Sequence, residues 1–142
     1  MAIQQTLTTS FKQQMLQAGQ NLATDTLYMA LYTGFASIGP NTTAYDAADV
    51  NQIVGTGYAA GGKALTGVTI GTSTNGVVYV NFDNVVWNPA VFAAVRGALI
   101  YNTTRSNASV AVLDFGSDKS CSNTFTVTMP PNSASTALIR FS

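Results

Sequence analysis

The chain has no histidine and no glutamate, and its 142 residues carry only six aspartates against six lysines and arginines. Without histidine, the usual general base and the commonest metal ligand at neutral pH are missing. A single cysteine, Cys121, makes neither an internal disulfide nor a Cys/His set for zinc, and a thiolate there would lack its imidazole partner. Charged residues are 8% of the chain, where a globular domain has about 25%, so this composition does not build an ordinary solvated surface. Zero net charge leaves no electrostatic footprint for DNA or RNA. No apolar run reaches the ~18 residues of a membrane-spanning helix. The opening Met1-Ala2-Ile3-Gln4-Gln5-Thr6 has neither the basic nor the unbroken apolar region of a secretory signal, so none is expected. The sequons beginning at Asn41, Asn102 and Asn107 then read as chance matches in an Asn- and Thr-rich chain. These scarcities predict no cofactor, no metal, no nucleic-acid partner and no membrane partner, and a surface that meets other protein over much of its area.

What is present reads as one β-rich domain over 1–142, with 1–9 as an extended arm. Such a length buries roughly 70% of the surface that the unfolded chain exposes. Ser10 to Gln13 fits a capping box that opens a helix, and Phe11, Met15, Ala18 and Leu22 then share one face. Gly19 weakens that helix by about 1 kcal/mol relative to alanine. The arm before it either lacks order or lies on a neighbouring subunit. Thr26 to Thr33 is apolar on both faces, as in a strand covered on both sides or lying close to a subunit contact. The stretch 34–62, with a helical turn expected around Ala44 to Asp49, is long for a connection. It is either a projecting contact loop or a surface loop pinned by Tyr45 and Tyr58.

Further on, Val68 to Ile70 and Val77 to Asp83 flank Asn75-Gly76, which supplies the positive φ of a hairpin turn. Val78, Val80 and Phe82 fall on one face, and Asn81 and Asp83 on the other. Strands follow at Phe92 to Tyr101, Val110 to Phe115, Phe125 to Met129 and Ala137 to Phe141, separated by turns at 102–109, 116–123 and 130–135. In the third of these, Phe125, Val127 and Met129 point to the core while Thr124, Thr126 and Thr128 point away. The fold class is mainly β: an antiparallel β-sandwich or barrel, jelly-roll-like, with one N-terminal amphipathic helix over an open side.

Few constellations carry chemistry. Asp83 and Asp114 form a possible carboxylate pair for glycoside hydrolysis, although aspartates at strand ends usually cap turns. Asp46 and Asp49 could bind calcium weakly but lack an oxygen-rich repeat. Gly55 to Lys63 superficially resembles a phosphate-binding loop, yet it has no hydroxyl residue after the lysine and reads as a flexible turn. Trp87, beside Pro89, is either core or a subunit-contact anchor. Arg96 and Arg140, within apolar strands, either reach solvent or pair with Asp114 or Asp83; pairing would make Arg96→Ala strongly destabilising.

The segments Asp25 to Thr33, Gly55 to Gly62, Arg96 to Asn102 and Ala111 to Gly116, taken together, resemble small β-rich virion structural proteins of tailed bacteriophages. The resemblance spans roughly Phe11 to Phe141 and rests on strand and turn signatures. It implies a non-enzymatic, self-assembling subunit: a capsid cement or decoration protein bridging major capsid subunits, or else a tail or tail-fibre component. It also implies a place in the virion after production in the host cytoplasm. The partners would be the major capsid protein or other virion proteins, with a homo-oligomer, dimer or trimer. The side chains expected at the protein interface are Ile3, Leu7, Phe35, Tyr45, Tyr58 and Trp87. A reading from another class is a carbohydrate-binding β-sandwich module with Trp87, Tyr45 and Tyr58 as a stacking platform.

Overall fold

The computed structural model describes residues 3–141. Its strands are β1 (Thr6–Leu7), β2 (Leu27–Tyr32), β3 (Lys63–Ala64), β4 (Thr69–Thr72), β5 (Val78–Asn81), β6 (Val85–Trp87), β7 (Phe92–Asn102), β8 (Ala108–Cys121), β9 (Phe125–Val127) and β10 (Ile139–Phe141), with helix α1 (Thr9–Leu16). They form a five-stranded sheet in the order β1-β8-β7-β2-β3, a three-stranded sheet β10-β5-β4 and a pair β6-β9, every pairing antiparallel. The sheets stack without closing on themselves, so the architecture is a sandwich rather than a barrel. Among the described residues, no helix is long and apolar enough to cross a membrane.

β2 explains why the large sheet is buried on both faces. Leu27, Met29 and Leu31 point into a first core with Phe11, Val80, Phe82, Trp87, Phe92, Phe125, Val127 and Ile139, which lies between the large sheet and the smaller ones. Ala30 and Tyr32 point the other way, into a second core with Ile3, Ile38, Leu99, Tyr101 and Val112. The alternation of a strand thus serves two cores at once, as its unbroken apolar text predicted. The β4–β5 hairpin is as expected, with Gly76 at φ 82 in its turn. Phe125, Val127 and Met129 are buried, with their threonine neighbours exposed. Val80 in β5 and Phe82 just after it are buried, whereas Val78 remains 39% exposed.

Three local expectations are corrected. The cap of α1 is Thr8, not Ser10: its hydroxyl accepts from the Phe11 amide at 3.3 Å. Thr8, Thr9 and Ser10 are all suitable caps, and a distant partner decides among them: the Thr8 amide donates to the Val110 carbonyl at 3.0 Å, which holds Thr8 extended, whereas the Ser109 hydroxyl reaches both Thr8 Oγ1 at 2.8 Å and Ser10 Oγ at 3.1 Å. The helix is also shorter than its apolar spacing implied. It ends in a Schellman motif, with the Gly19 amide donating to the Gln14 carbonyl at 2.7 Å and the Ala18 amide to Met15 at 3.4 Å. Ala18 sits at φ 55 in the left-handed region, so Leu22 reaches the first core from beyond the helix.

β8, finally, does not stop at Phe115. It runs to Cys121 because the first half of β7 offers backbone partners, Val95 opposite Lys119 and Phe92 opposite Cys121. Gly116, Ser117 and Ser120 had the composition of a turn, but pairing overrides it, and irregular register with Ala94 and Gly116 at positive φ absorbs the mismatch.

The arm folds onto its own chain. The Gln4 amide donates to the Ile38 carbonyl at 2.9 Å, β1 pairs with Val112 and Ala111, and the Thr8 amide donates to Val110 at 3.0 Å. Ile3 packs where Gly97 leaves room; a Cβ at Gly97 would meet the Ile3 side chain and the Leu113 carbonyl. Met1 and Ala2 of the expected arm lie outside the described residues.

Candidate functional site

The long connection after β2 is bound to the edge of that strand. The Thr33 amide donates to the Asn51 carbonyl and the Ile53 amide to Leu31, both at 2.9 Å, so 51–53 continues the sheet edge where β3 does not reach. The Ala44 to Asp49 segment is a pair of turns rather than a helix. The Asp46 carboxylate accepts from the Ala48 amide and the Asp49 carboxylate from the Asn51 amide, each at 2.9 Å.

Gln52 is the centre of the attachment. Its buried Oε1 accepts from the Tyr58 hydroxyl at 2.8 Å and from the Gly61 amide at 2.7 Å, while Nε2 donates to the Tyr45 hydroxyl at 3.0 Å. The Tyr58 hydroxyl in turn accepts the Leu31 amide at 2.9 Å. The Tyr101 hydroxyl donates to the Gly61 carbonyl at 2.7 Å, and Tyr45 stacks on Tyr101 with centroids 4.4 Å apart. Burial pushes the Tyr58 phenol well above its ordinary range and, with the neighbouring Tyr45 and Tyr28, pushes Tyr101 up to about 12, so both stay protonated as donors. The glycine-rich run serves this close approach: Gly62, at φ 84, lies where a Cβ would collide with the Met29 carbonyl. Tyr45 and Tyr58 therefore pin the loop, through a glutamine that sequence reading passed over. Its only signal was a pair of amides, Asn51 and Gln52, between the apolar Val50 and Ile53.

A firmly held loop presents what it leaves outside. Phe35 is 76% exposed and Val50 and Val54 are each 90% exposed, at either end of the Thr33–Asn51 and Ile53–Leu31 pairings. Val91, whose amide and carbonyl both bond to Thr56, is half exposed. Burying such side chains is worth about 1.5–3 kcal/mol each, and the only charged residues on this loop are Asp46 and Asp49.

The six side chains expected at an interface are dispersed. Phe35 stands on this exposed margin. Ile3 is buried in the second core, against which the partly buried Tyr45 packs. Trp87, 3% exposed, is in the first core, against which the partly buried Leu7 and Tyr58 pack. Trp87 sits in an aromatic cluster with Tyr58 and Phe125 at 6.1 and 6.0 Å. The three aromatics of the carbohydrate reading thus form no exposed platform. Val50 and Val54, which that reading did not single out, carry more of the exposed apolar surface.

The charged groups fall into structural pairs. Asp83 accepts from the Thr66 hydroxyl beside the three-stranded sheet, and Asp114 lies on β8 of the large sheet; they do not share a strand pair. Arg96 reaches Asp114 at 3.4 Å and Asp118 at 3.7 Å, with side chains 39%, 32% and 62% exposed. Of the two alternatives for Arg96, pairing with Asp114 is the one found, but the large destabilisation expected of it is corrected: exposure limits the pair's worth to about 1 kcal/mol or less. Arg140 reaches the surface and donates to the Ser135 carbonyl at 2.7 Å. Arg105 holds Asp25 at 2.9 Å, and this hydrogen bond, with those from the Asn21 amide and Asn102, holds the carboxyl down to about 2 against the opposing effect of burial. Cys121 is partly buried, its sulfur 3.5 Å from the Ala90 carbonyl.

Comparison with known proteins gives no match to a family model, to a curated protein or to a solved structure.

Proposed function

We propose that this chain is a non-enzymatic structural subunit of a bacteriophage virion, a capsid cement protein that bridges major capsid subunits. The observation that carries the reading is the exposed margin of Phe35, Val50 and Val54, held by the Gln52 network on a chain with 8% charged residues. A soluble chain gains nothing by fixing three apolar side chains outward unless another surface covers them. Low charge reduces the desolvation penalty of a large contact. The resemblance of the strand and turn signatures to small phage virion proteins points to what that surface is.

The mechanism is linkage. A subunit that binds the assembled shell but not its separate parts stabilises the shell by its binding free energy, repeated at every site. A specific contact of this kind buries about 1,600 Å² in total, and repetition around a symmetric shell favours a dimer or trimer at a symmetry axis.

The test is rebinding of purified protein to heads that lack it. Retention on heads, lost when Phe35, Val50 and Val54 are all changed to serine, supports the reading. Absence from heads with retention on isolated tails transfers the protein to the tail. Failure to bind either particle refutes the virion assignment.

A further inference from the structure

A cavity of about 700 Å³ opens on the second face of the large sheet, where the arm, the 37–44 segment and the Asp46–Asp49 turns converge. Its floor is Tyr32 with Leu99 and Ile38, and its wall includes Thr42, Asp46 and Asp49. Tyr32 is 1% exposed, and its hydroxyl makes no hydrogen bond to another described residue. A buried phenol usually finds a partner; this one lines a cavity instead. The carboxylates are half used in the same sense. One oxygen of Asp46 and one of Asp49 hold the Ala48 and Asn51 amides, and their second oxygens accept no hydrogen bond among the described residues.

We propose that this cavity binds the guanidinium of an arginine side chain presented by a neighbouring protein subunit. The lining contains two carboxylates and no cation, so an anion is excluded by charge. The chain's own arginines are engaged elsewhere: Arg96 with Asp114 and Asp118, Arg105 with Asp25, and Arg140 with the Ser135 carbonyl. The cation therefore comes from outside. Calcium takes six to eight oxygens, and among the described residues no group of three or more acidic or other metal-ligating side chains is gathered. A saccharide would call for an exposed aromatic face, and the Tyr32 ring is buried.

A guanidinium fits what remains. Its planar fork donates to two carboxylate oxygens and a phenol oxygen together, and it gives up its hydration more readily than an ammonium. Leu99 and Ile38 receive the aliphatic stem. That the arginine belongs to a virion neighbour rests on the function proposed above; the pocket's chemistry does not.

The experiment titrates the purified full chain with N-acetylarginine amide and follows backbone amides by NMR. The expected result is movement of the Tyr32, Thr42, Asp46 and Asp49 amides, absent with the uncharged isostere N-acetylcitrulline amide. Asp46→Asn with Asp49→Asn keeps both turn acceptors and removes both charges, and weakens binding about tenfold, equivalent to about 1.4 kcal/mol. Tyr32→Phe weakens binding several-fold while the dispersed spectrum persists. No movement, equal movement with the citrulline compound, or stronger binding of calcium or a disaccharide at the same amides overturns the proposal. The titration uses no capsid, so it fails independently of the virion reading, which fails in the head-binding assay. In head-bound protein, an arginine in the cavity supports the partner assignment, and any other occupant, or none, overturns it.

Discussion

Replacing Gln52 with leucine keeps the approximate volume and removes the three hydrogen bonds of the Gln52 side chain. The Gly61 amide is buried and loses its acceptor, and the Tyr58 hydroxyl loses the acceptor for its proton while still receiving the Leu31 amide. An unsatisfied buried donor costs about 1–3 kcal/mol, and a hydrogen bond at a partly buried site contributes about 1 kcal/mol. Counting Gly61 near 2, Tyr58 near 1 and Tyr45 near 1, the variant should lose about 4 kcal/mol, which lowers Tm by roughly 10–15 °C for a domain of this size. Tyr45→Phe breaks only the bond from Nε2 and should cost about 1 kcal/mol. Urea denaturation measures both, and hydrogen exchange reports whether protection is lost at Gly61 and Leu31 while the β7–β8 amides keep theirs. A Gln52→Leu protein within about 0.5 kcal/mol of the parent, with Gly61 still protected, would refute the claim that this network holds the loop.

Ala18→Gly relieves a left-handed alanine in an exposed Schellman motif and should stabilise by about 0.5–1 kcal/mol in the same urea assay. Asp25 has its pKa lowered, so its contribution to stability is complete above the ordinary carboxylate range and is lost as pH falls through about 2. Asp25→Asn should therefore flatten the acid limb of the stability–pH curve. Arg96→Ala should cost about 1 kcal/mol or less, and salt should shrink the difference, because the ion pairs it breaks are partly exposed.

Periodicity made the sandwich legible: β2 is buried on both faces, the β4–β5 hairpin turns at Asn75-Gly76, and Phe125, Val127 and Met129 line one side. These features depend on neighbours in sequence. What escaped depends on distant partners. Thr8 prevails over Ser10 as cap because its amide is bonded to the Val110 carbonyl, and β8 outlasts its turn-like residues because β7 is paired with them. Gln52 has no local pattern at all; its role exists only once Tyr45, Tyr58 and Gly61 surround it. Of the interface residues chosen for size and aromaticity, Trp87 and Ile3 went to the cores and Leu7, Tyr45 and Tyr58 pack against them, because a chain of this length must first bury its own large apolar side chains, while Phe35 stayed outside. Exposed apolar residues on a loop, Val50 and Val54, carry no periodic signature.

The most direct test of the account is a cryo-EM reconstruction of the virion whose genome encodes this chain. The account predicts density for this sandwich over the joints between major capsid subunits, with Phe35, Val50 and Val54 facing the shell. A virion that contains no copy of the protein would contradict it.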